Sequence, residues 1–399
     1  MEKSDDSTLY SHFLSLLPPH EPHTLAQRLV SFASENPPGN EAEVSSYAAD
    51  WLSDQGFEVT QVASPQGRPN LVASLKQGRG ARRLIFNAHL DVVPAGDPAG
   101  WRSPPYSAQI RDGRLYGRGA ADTKGGAAAM LYGAWLIKKA GLDLGDAELI
   151  LHLVSDEESG GSQGTGHLAA MGYAKADGAV VVEPTGLKVV TAEKGTLWFR
   201  ITIKGVAAHA AAPHLGVNAI EKMALLMPRL KKLVGDIHHP LLGGPTLNLA
   251  VIRGGNKINT VPDVCTLELD RRCLPNEGAD IIEQDLEAIL ADFSKDEGVA
   301  VEKERLMYAE PCEVSAGESI VRTALRSLEC VLGSRADIMG ISGFTDARIY
   351  AGRAGTPAIL IGPGELGQAH TTNEFVAIDQ LRQASLLFAM ITADFFGAV

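Results

Sequence analysis

The stretch LIFNAHLDVV at residues 84–93, followed by GRLYGRGAADTKGG at residues 113–126, decides how the chain is read. Leu84, Ile85 and Phe86 open a buried strand, and His89 and Asp91 stand two apart near its carboxyl end, so both point to one side. Asp122 follows a glycine-rich turn and opens an alanine-rich helical run, which puts another carboxylate at a strand-to-helix junction, where α/β folds place ligands. A metal site is one reading. A lone H-x-D pair also fits a histidine oriented by its neighbouring carboxylate, so the rest of the chain has to decide.

The 399 residues are enough for two domains with their own cores. A formal charge of −12, with no Lys/Arg-rich run against it, repels nucleic acid and anionic membranes, and neither is expected as a partner. The amino-terminal MEKSDDSTLYSHF lacks the basic start and apolar core of a signal peptide, and no apolar run approaches bilayer length, so the expected location is cytoplasmic. Cys265, Cys273, Cys312 and Cys330 show no C-x-x-C spacing and read as thiols in a reducing compartment.

Two helical patterns, HTLAQRLVSFAS and EAEVSSYAADWLSDQG, flank the breaker PPGN. Strands FEVTQV, NLVASL and RRLIFNAHL follow, then a helix from about Asp122 to Ala140, the strand ELILHLVS, the turn DEESGGSQG, a short helix around His167 and the strand GAVVVEP. This alternation predicts an α/β domain with a mainly parallel sheet covered by helices. From about Gly195 to Leu306 the order becomes β-α-β-β-α-β, that of a ferredoxin-like unit. The α/β pattern then resumes with ESIVRTALRSLECVLG, TPAILIG and a closing helix from about Asp379 to Phe396. The expected organisation is a catalytic domain of residues 1–193 and 309–399 with residues 194–308 inserted.

Further acids stand at strand ends: Asp156, Glu157 and Glu158 after ELILHLVS, and Glu183 after AVVV. Carboxylates at the ends of very apolar strands are costly unless paired or bound to a cation. Read singly, each is a solvated loop acid. Read with His370 in GPGELGQAHTTNEF, the set resembles the signature of the M20 metallopeptidase family, in particular the acetylornithine deacetylase and succinyl-diaminopimelate desuccinylase branch. The likeness runs over nearly the whole chain and is densest from His89 to Gly126.

The resemblance implies a two-zinc site in which Asp122 bridges, His89 and Glu183 complete one ion's ligands, and Glu158 and His370 the other's. Three carboxylates and a hydroxide would balance two divalent cations. Cobalt or manganese would also suit these ligands. Asp91 would orient His89, and Glu157 would be the general base that carries a water proton to the leaving nitrogen. GVAAHAAAPHLGVNAI resembles the segment whose histidine, here His209, enters the neighbouring subunit's site, which implies a homodimer formed through the inserted domain. Asn259 and Arg272 resemble substrate-carboxylate binders. The family's Gly-Gly-Thr-Ser-Asp stretch appears as Gly343-Phe344-Thr345-Asp346, with an aromatic where a small polar residue is usual. Asn87-Ala88 replaces the commoner glycine before His89.

The expected activity is therefore hydrolysis of the amide of an N-acyl amino acid or a related small amide. A dipeptidase or carboxypeptidase of the same family is the nearer alternative, and Glu183, where peptidase branches more often have aspartate, leans against it. Two-metal phosphoester hydrolysis would need clustered Arg and Lys near the ligand strands, and the sequence has none. A non-catalytic binding protein of this fold is the alternative outside enzymology, opposed by the intact base and ligand set.

Overall fold

Period-two apolar strands and 3.6-period helices alternate through most of the chain, and each buries its apolar side against the next. The computed structural model describes residues 6–398; Met1–Asp5, the start of the amino-terminal stretch read above, and Val399 lie outside the described residues. Two compact units form, one within Met1–Thr191, Val314–Met339 and Thr345–Val399, the other of Ala192–Glu313 and Gly340–Phe344.

The first unit begins with α1 (Asp6–Leu16), α2 (Glu21–Val30), α3 (Ala42–Asp54), β1 (Glu58–Ala63), β2 (Pro69–Lys76) and β3 (Arg82–His89). It continues through a hairpin of β4 (Gln109–Arg111) and β5 (Arg114–Tyr116), α4 (Lys124–Ala140), β6 (Ala147–Val154), α5 (Thr165–Ala170), β7 (Gly178–Val181) and β8 (Val189–Glu193). The second unit follows as β9 (Gly195–Lys204), α6 (Ala219–Leu230), β10 (Thr246–Gly254), β11 (Val264–Cys273), α7 (Ala279–Glu297), β12 (Ala300–Ala309) and β13 (Cys312–Glu313). The chain then runs through α8 (Ser319–Leu332), β14 (Ile338–Ile341), α9 (Ala347–Ile349), β15 (Ala358–Leu360), β16 (Phe375–Ala377) and α10 (Ile378–Phe396).

The large sheet of the first unit has the order β1-β2-β6-β3-β7-β15-β8. Its centre, β6-β3-β7-β15, is parallel, while β1 and β2 join antiparallel at one flank. Alternation along β3 assigns its two faces. Phe86 meets Phe388 of α10 with ring centroids 5.4 Å apart, and the next residue, Asn87, points the other way to Thr165 of α5. α4 and α10 pack so closely that a Cβ on Gly133 would lie 2.5 Å from Cβ of Phe388, so this helix crossing requires glycine. The fold is the mixed α/β class expected. α1 and the small sheet β16-β5-β4 were not anticipated: α1 buries only Leu9 and Phe13, and three-residue strands carry no readable period.

The second unit has the strand order β10-β11-β9-β12, all antiparallel, which is the ferredoxin-like arrangement. Phe199, Ile201 and Ile203 of β9 pack with Leu226 of α6 and Phe293 of α7 in its core. Asn218 caps α6, its side-chain oxygen accepting the N–H groups of Ile220 and Glu221. Gly340–Phe344 joins this unit partly through the Lys194 N–H donating to the Ile341 carbonyl at 3.2 Å. Among the described residues no helix is long and apolar enough to cross a membrane.

Phe388 is fully buried against the strand that carries His89. Phe388→Ala is expected to lower unfolding free energy by about 3–5 kcal/mol, read as a shifted urea midpoint with native far-UV circular dichroism retained. A loss below about 1 kcal/mol would mean that this contact is not part of the packed core.

Candidate metal centre

β3 and β6 pair in parallel as far as His89 and Val154, and the Leu90 N–H donates to the Val154 carbonyl at 2.8 Å. Both strands therefore release their next residues at the same end of the sheet. After β6, Asp156 adopts a left-handed conformation (φ 70°), and Glu157–Ser159 form a single 3₁₀ turn closed by Gly160 (φ 102°). Aspartate tolerates this region because its carboxylate bonds locally: it accepts the Gln163 N–H at 2.9 Å and the Ser162 hydroxyl at 3.2 Å. Arg68, paired with the buried Glu41, lies 3.5 Å from the same carboxylate.

Asp91 is fully buried and ties the two strand ends together. Its carboxylate accepts the N–H groups of Glu157 and Glu158, both at 3.2 Å, and the Asn36 amide at 2.8 Å. His89 Nδ1 lies 2.9 Å from the Asp91 backbone carbonyl and 3.6 Å from its carboxylate, so the ring is oriented mainly by the carbonyl. Donation from Nδ1 leaves the lone pair of Nε2 directed at Asp122 Oδ1, 3.0 Å away. Two acceptors this close need a proton or a cation between them.

Asp122 precedes α4, and Thr123 anchors that turn by donating its hydroxyl to the Val182 carbonyl at 2.9 Å. The Val182 N–H donates to the Asn87 carbonyl at 2.8 Å and so brings Glu183 to the same end of the sheet. His370, in a left-handed loop conformation (φ 62°), points Nε2 at Glu158 Oε2 (3.0 Å) and Asp122 Oδ2 (3.5 Å). Two groups result: His89, Asp122 and Glu183, and Asp122, Glu158 and His370, with the ligand atoms in each all within 4.8 Å of one another. Asp122 belongs to both.

The electrostatics favour a cation. Burial, then neighbouring carboxylates, push Glu183 well above the usual carboxylate range, and its buried Oε1 has no hydrogen-bond partner. Glu157 keeps part of its surface open, yet desolvation and the charges of Glu183, Asp346 and Glu158 raise it well above that range too. Glu158 is raised by burial and by Asp122. Burial also pushes Asp122 upward, but the hydrogen bond and charge of His89, with His370, outweigh it and hold Asp122 low. A clustered set of N and O donors with an unpartnered carboxylate oxygen fits divalent ions such as zinc.

The remaining expected residues separate into small groups. His209 and Asn259 are exposed neighbours on facing loops of the second unit: His209 bridges Thr260, and the Ala210 N–H donates to the Asn259 carbonyl at 3.0 Å. Arg272 of that unit donates from Nε to Asp270 at 3.0 Å, and its guanidinium lies 5.8 Å from the Phe344 ring. Gly343 is exposed beside Phe344, and Thr345, buried, accepts the Ala347 N–H at 3.1 Å.

Sequence reasoning missed a buried polar chain beneath the site. Asn87 donates to Thr165 Oγ1 and to Tyr350 Oη, both at 3.0 Å. The Thr165 hydroxyl donates to Asp346 at 2.6 Å, and Tyr350 Oη lies 2.6 Å from His152 Nδ1. The available signal was polarity at Asn87 and His152, neighbours in register on two otherwise apolar strands. Asp346 is raised to about 6 by burial against the Thr165 bond, and His152 is lowered to about 3 by burial.

Residues 85–394 match the model of peptidase family M20/M25/M40. The chain is 30% identical over 391 residues to N-formyl-4-amino-5-aminomethyl-2-methylpyrimidine deformylase of Bacillus subtilis, covering 90% of each chain. It is 30% identical over 352 residues to acetylornithine deacetylase of Vibrio parahaemolyticus, covering 85% of this chain and 87% of that one. An aminopeptidase structure from Bacillus cereus shares the fold with a TM-score of 0.80 at 23% identity, over 95% of this chain and 99% of the other. A structure described as a dinuclear metal-binding peptidase of Bacillus subtilis gives 0.72 at 15% identity, over 95% and 99%.

The raised carboxyls make the metal-free protein sensitive to alkali. A carboxyl whose pKa rises on folding favours the folded state while protonated, and that advantage is lost as pH climbs through the folded value. Asp346 at about 6 and Glu374 at about 7, with Glu157 and Glu183 raised as well, act in this direction. The lowered His152 opposes them below its ordinary 6.5. The melting temperature of metal-free protein is therefore expected to fall between about pH 5 and 7, and added zinc to flatten the profile. A metal-free profile that rises over this interval would contradict the carboxylate assignment.

Proposed function

The chain belongs to peptidase family M20/M25/M40 and is a hydrolase of amide bonds, and from that premise we propose a two-metal amidohydrolase that removes the acyl group from an N-acyl amino acid or a related small amide. The observation that carries this reading is Asp122, the one residue common to both ligand groups. His89, Asp122 and Glu183 would hold one ion, and Asp122, Glu158 and His370 the other. Bound zinc, cobalt or manganese would supply Lewis acidity for the carbonyl and the attacking water.

The chain's own groups do the rest. Glu157, held by its backbone N–H on Asp91, takes the proton of the attacking water and delivers it to the leaving nitrogen. Asp91 fixes His89 and the 157–158 backbone together. Asn259, Arg272, Gly343, Phe344 and Thr345 are assigned to the substrate, with Phe344 making its subsite more apolar. Relatives at 30% identity named as a deformylase and a deacetylase favour small acyl substrates over dipeptides. The thiols Cys265, Cys273, Cys312 and Cys330 suit a cytoplasmic location.

A homodimer through the second unit belongs to the same proposal, with His209 donating to the partner's substrate carbonyl as it gains negative charge. β10 and β12 are the sheet edges of that unit and would suit pairing about a two-fold axis.

Zinc- or cobalt-reconstituted protein should hydrolyse members of a panel of N-acyl amino acids. Glu157→Gln should keep its metal content and lose about two to four orders of magnitude in turnover. Cleavage of dipeptides alone would replace the deacylase reading with the peptidase one, and loss of an ion in the variant would exchange the roles of Glu157 and Glu158.

His209→Ala should lower kcat by about two to three orders of magnitude. Mixing it with Glu157→Gln under subunit exchange should restore activity towards half of wild type per dimer, because one site then carries both lesions and the other neither. Persistent inactivity after proven exchange would remove His209 from the partner's site.

A further inference from the structure

We infer that Glu374 is the positioning residue of the shared ligand Asp122 and makes the two ion sites depend on a single clamp, an inference that rests on the two-metal reading above. Glu374 lies four residues beyond His370 and is fully buried. Its Oε1 accepts the backbone N–H groups of Ala121 at 2.8 Å and Asp122 at 3.0 Å. Its Oε2 accepts the Gly119 N–H at 3.2 Å and Arg118 Nη1 at 2.6 Å. The Glu374 backbone carbonyl accepts the Gly117 N–H at 3.0 Å. One residue thus holds five donors of the 117–122 turn.

The same clamp reaches the other ligand loop. Arg118 Nη1 also donates to the Thr371 carbonyl at 3.2 Å, next to His370, and the guanidinium lies 5.3 Å from the Trp101 ring. Asp122 must present Oδ1 towards His89 and Oδ2 towards His370, so the direction of its backbone matters to both ligand groups at once. All four partners of the Glu374 carboxylate are donors. Glutamine has nearly the same shape, but its NH2 would face two of them, leaving buried N–H groups without acceptors and the Arg118 charge uncompensated. Besides Glu374, the His370 segment reaches Asp122 through the side chain of His370 itself, whose Nε2 faces Asp122 Oδ2 at 3.5 Å.

The test is titration of metal-free protein with zinc, and separately with cobalt, against a competing chelator, with the cobalt absorption spectrum recorded. Glu374→Gln is expected to weaken both ions together by about 10- to 100-fold and to shift the cobalt bands, whereas His370→Ala weakens one ion only. A purely structural role would lower the melting temperature of the metal-free protein and leave the affinities of the folded fraction unchanged. Wild-type affinity for both ions in Glu374→Gln, or loss of one ion with the other intact, would overturn the inference. Should Glu374→Gln not fold, Arg118→Lys, which keeps the charge but loses the contacts to both Glu374 and Thr371, is read by the same criteria. Wild-type protein that binds no pair of ions would instead overturn the two-metal reading, and this inference with it.

Discussion

Mutual repulsion among Asp122, Glu157, Glu158 and Glu183, gathered at one end of an apolar sheet, is the constraint to which the surrounding structure answers. Charges that are weakly coupled in water interact several times more strongly where protein replaces solvent. Burying them without compensation would cost more than most single packing contacts return. The chain meets this with two kinds of group: acceptors, Asp91 and Glu374, that hold the backbone N–H groups of Glu157, Glu158 and Asp122 in place, and histidines whose ring nitrogens face the carboxylate oxygens at 3.0 Å. The remaining compensation has to come from protons or cations.

The parallel centre of the sheet makes such crowding possible. Parallel neighbours all end at the same side, so β3, β6 and β7 deliver their following residues to one edge. The acids are then separated in role by local backbone. Glu157 and Glu158 are adjacent, yet only Glu158 joins a ligand group, because the 3₁₀ turn sends successive side chains in different directions. Asp91 shows how one buried carboxylate serves this arrangement from below, accepting from that turn while its backbone carbonyl meets the His89 ring.

The α/β unit was legible because its signals are local: apolar runs, glycine-rich turns and acids at strand ends. His89, Asp91 and Asp122 announce themselves within a few dozen residues. What the sequence hid depends on contacts between distant segments. Asn87 looked like a mild departure in a packed strand, but its amide bridges Thr165 and Tyr350, a partner 263 positions away. Arg272 resembles a carboxylate binder, and its Nε also donates to Asp270, two residues before it, which the sequence alone does not show. Glu374 carries no local signal, since nothing near it in the sequence reveals that its carboxylate accepts from a turn 252 positions earlier. The three-residue strands β4, β5 and β16 were too short to carry any pattern.

The insertion of the second unit between β8 and α8 has a consequence for the order in which the protein is made. Glu158 and His370 belong to one ligand group but are 212 positions apart. At about 5–20 residues per second, a ribosome needs roughly ten to forty seconds to pass from one to the other. Throughout that interval the emerging chain carries its crowded acids without His370, without β15 to fill the gap between β7 and β8, and without α10 to cover Phe86. The nascent amino-terminal half is therefore an acidic, incompletely covered sheet, while the second unit, continuous except for Gly340–Phe344, has most of its sequence available early. Of the five residues in the two candidate ligand groups, His370 is the last to be synthesised, so neither the Asp122, Glu158 and His370 group nor its histidine contact exists until the chain has passed the whole second unit.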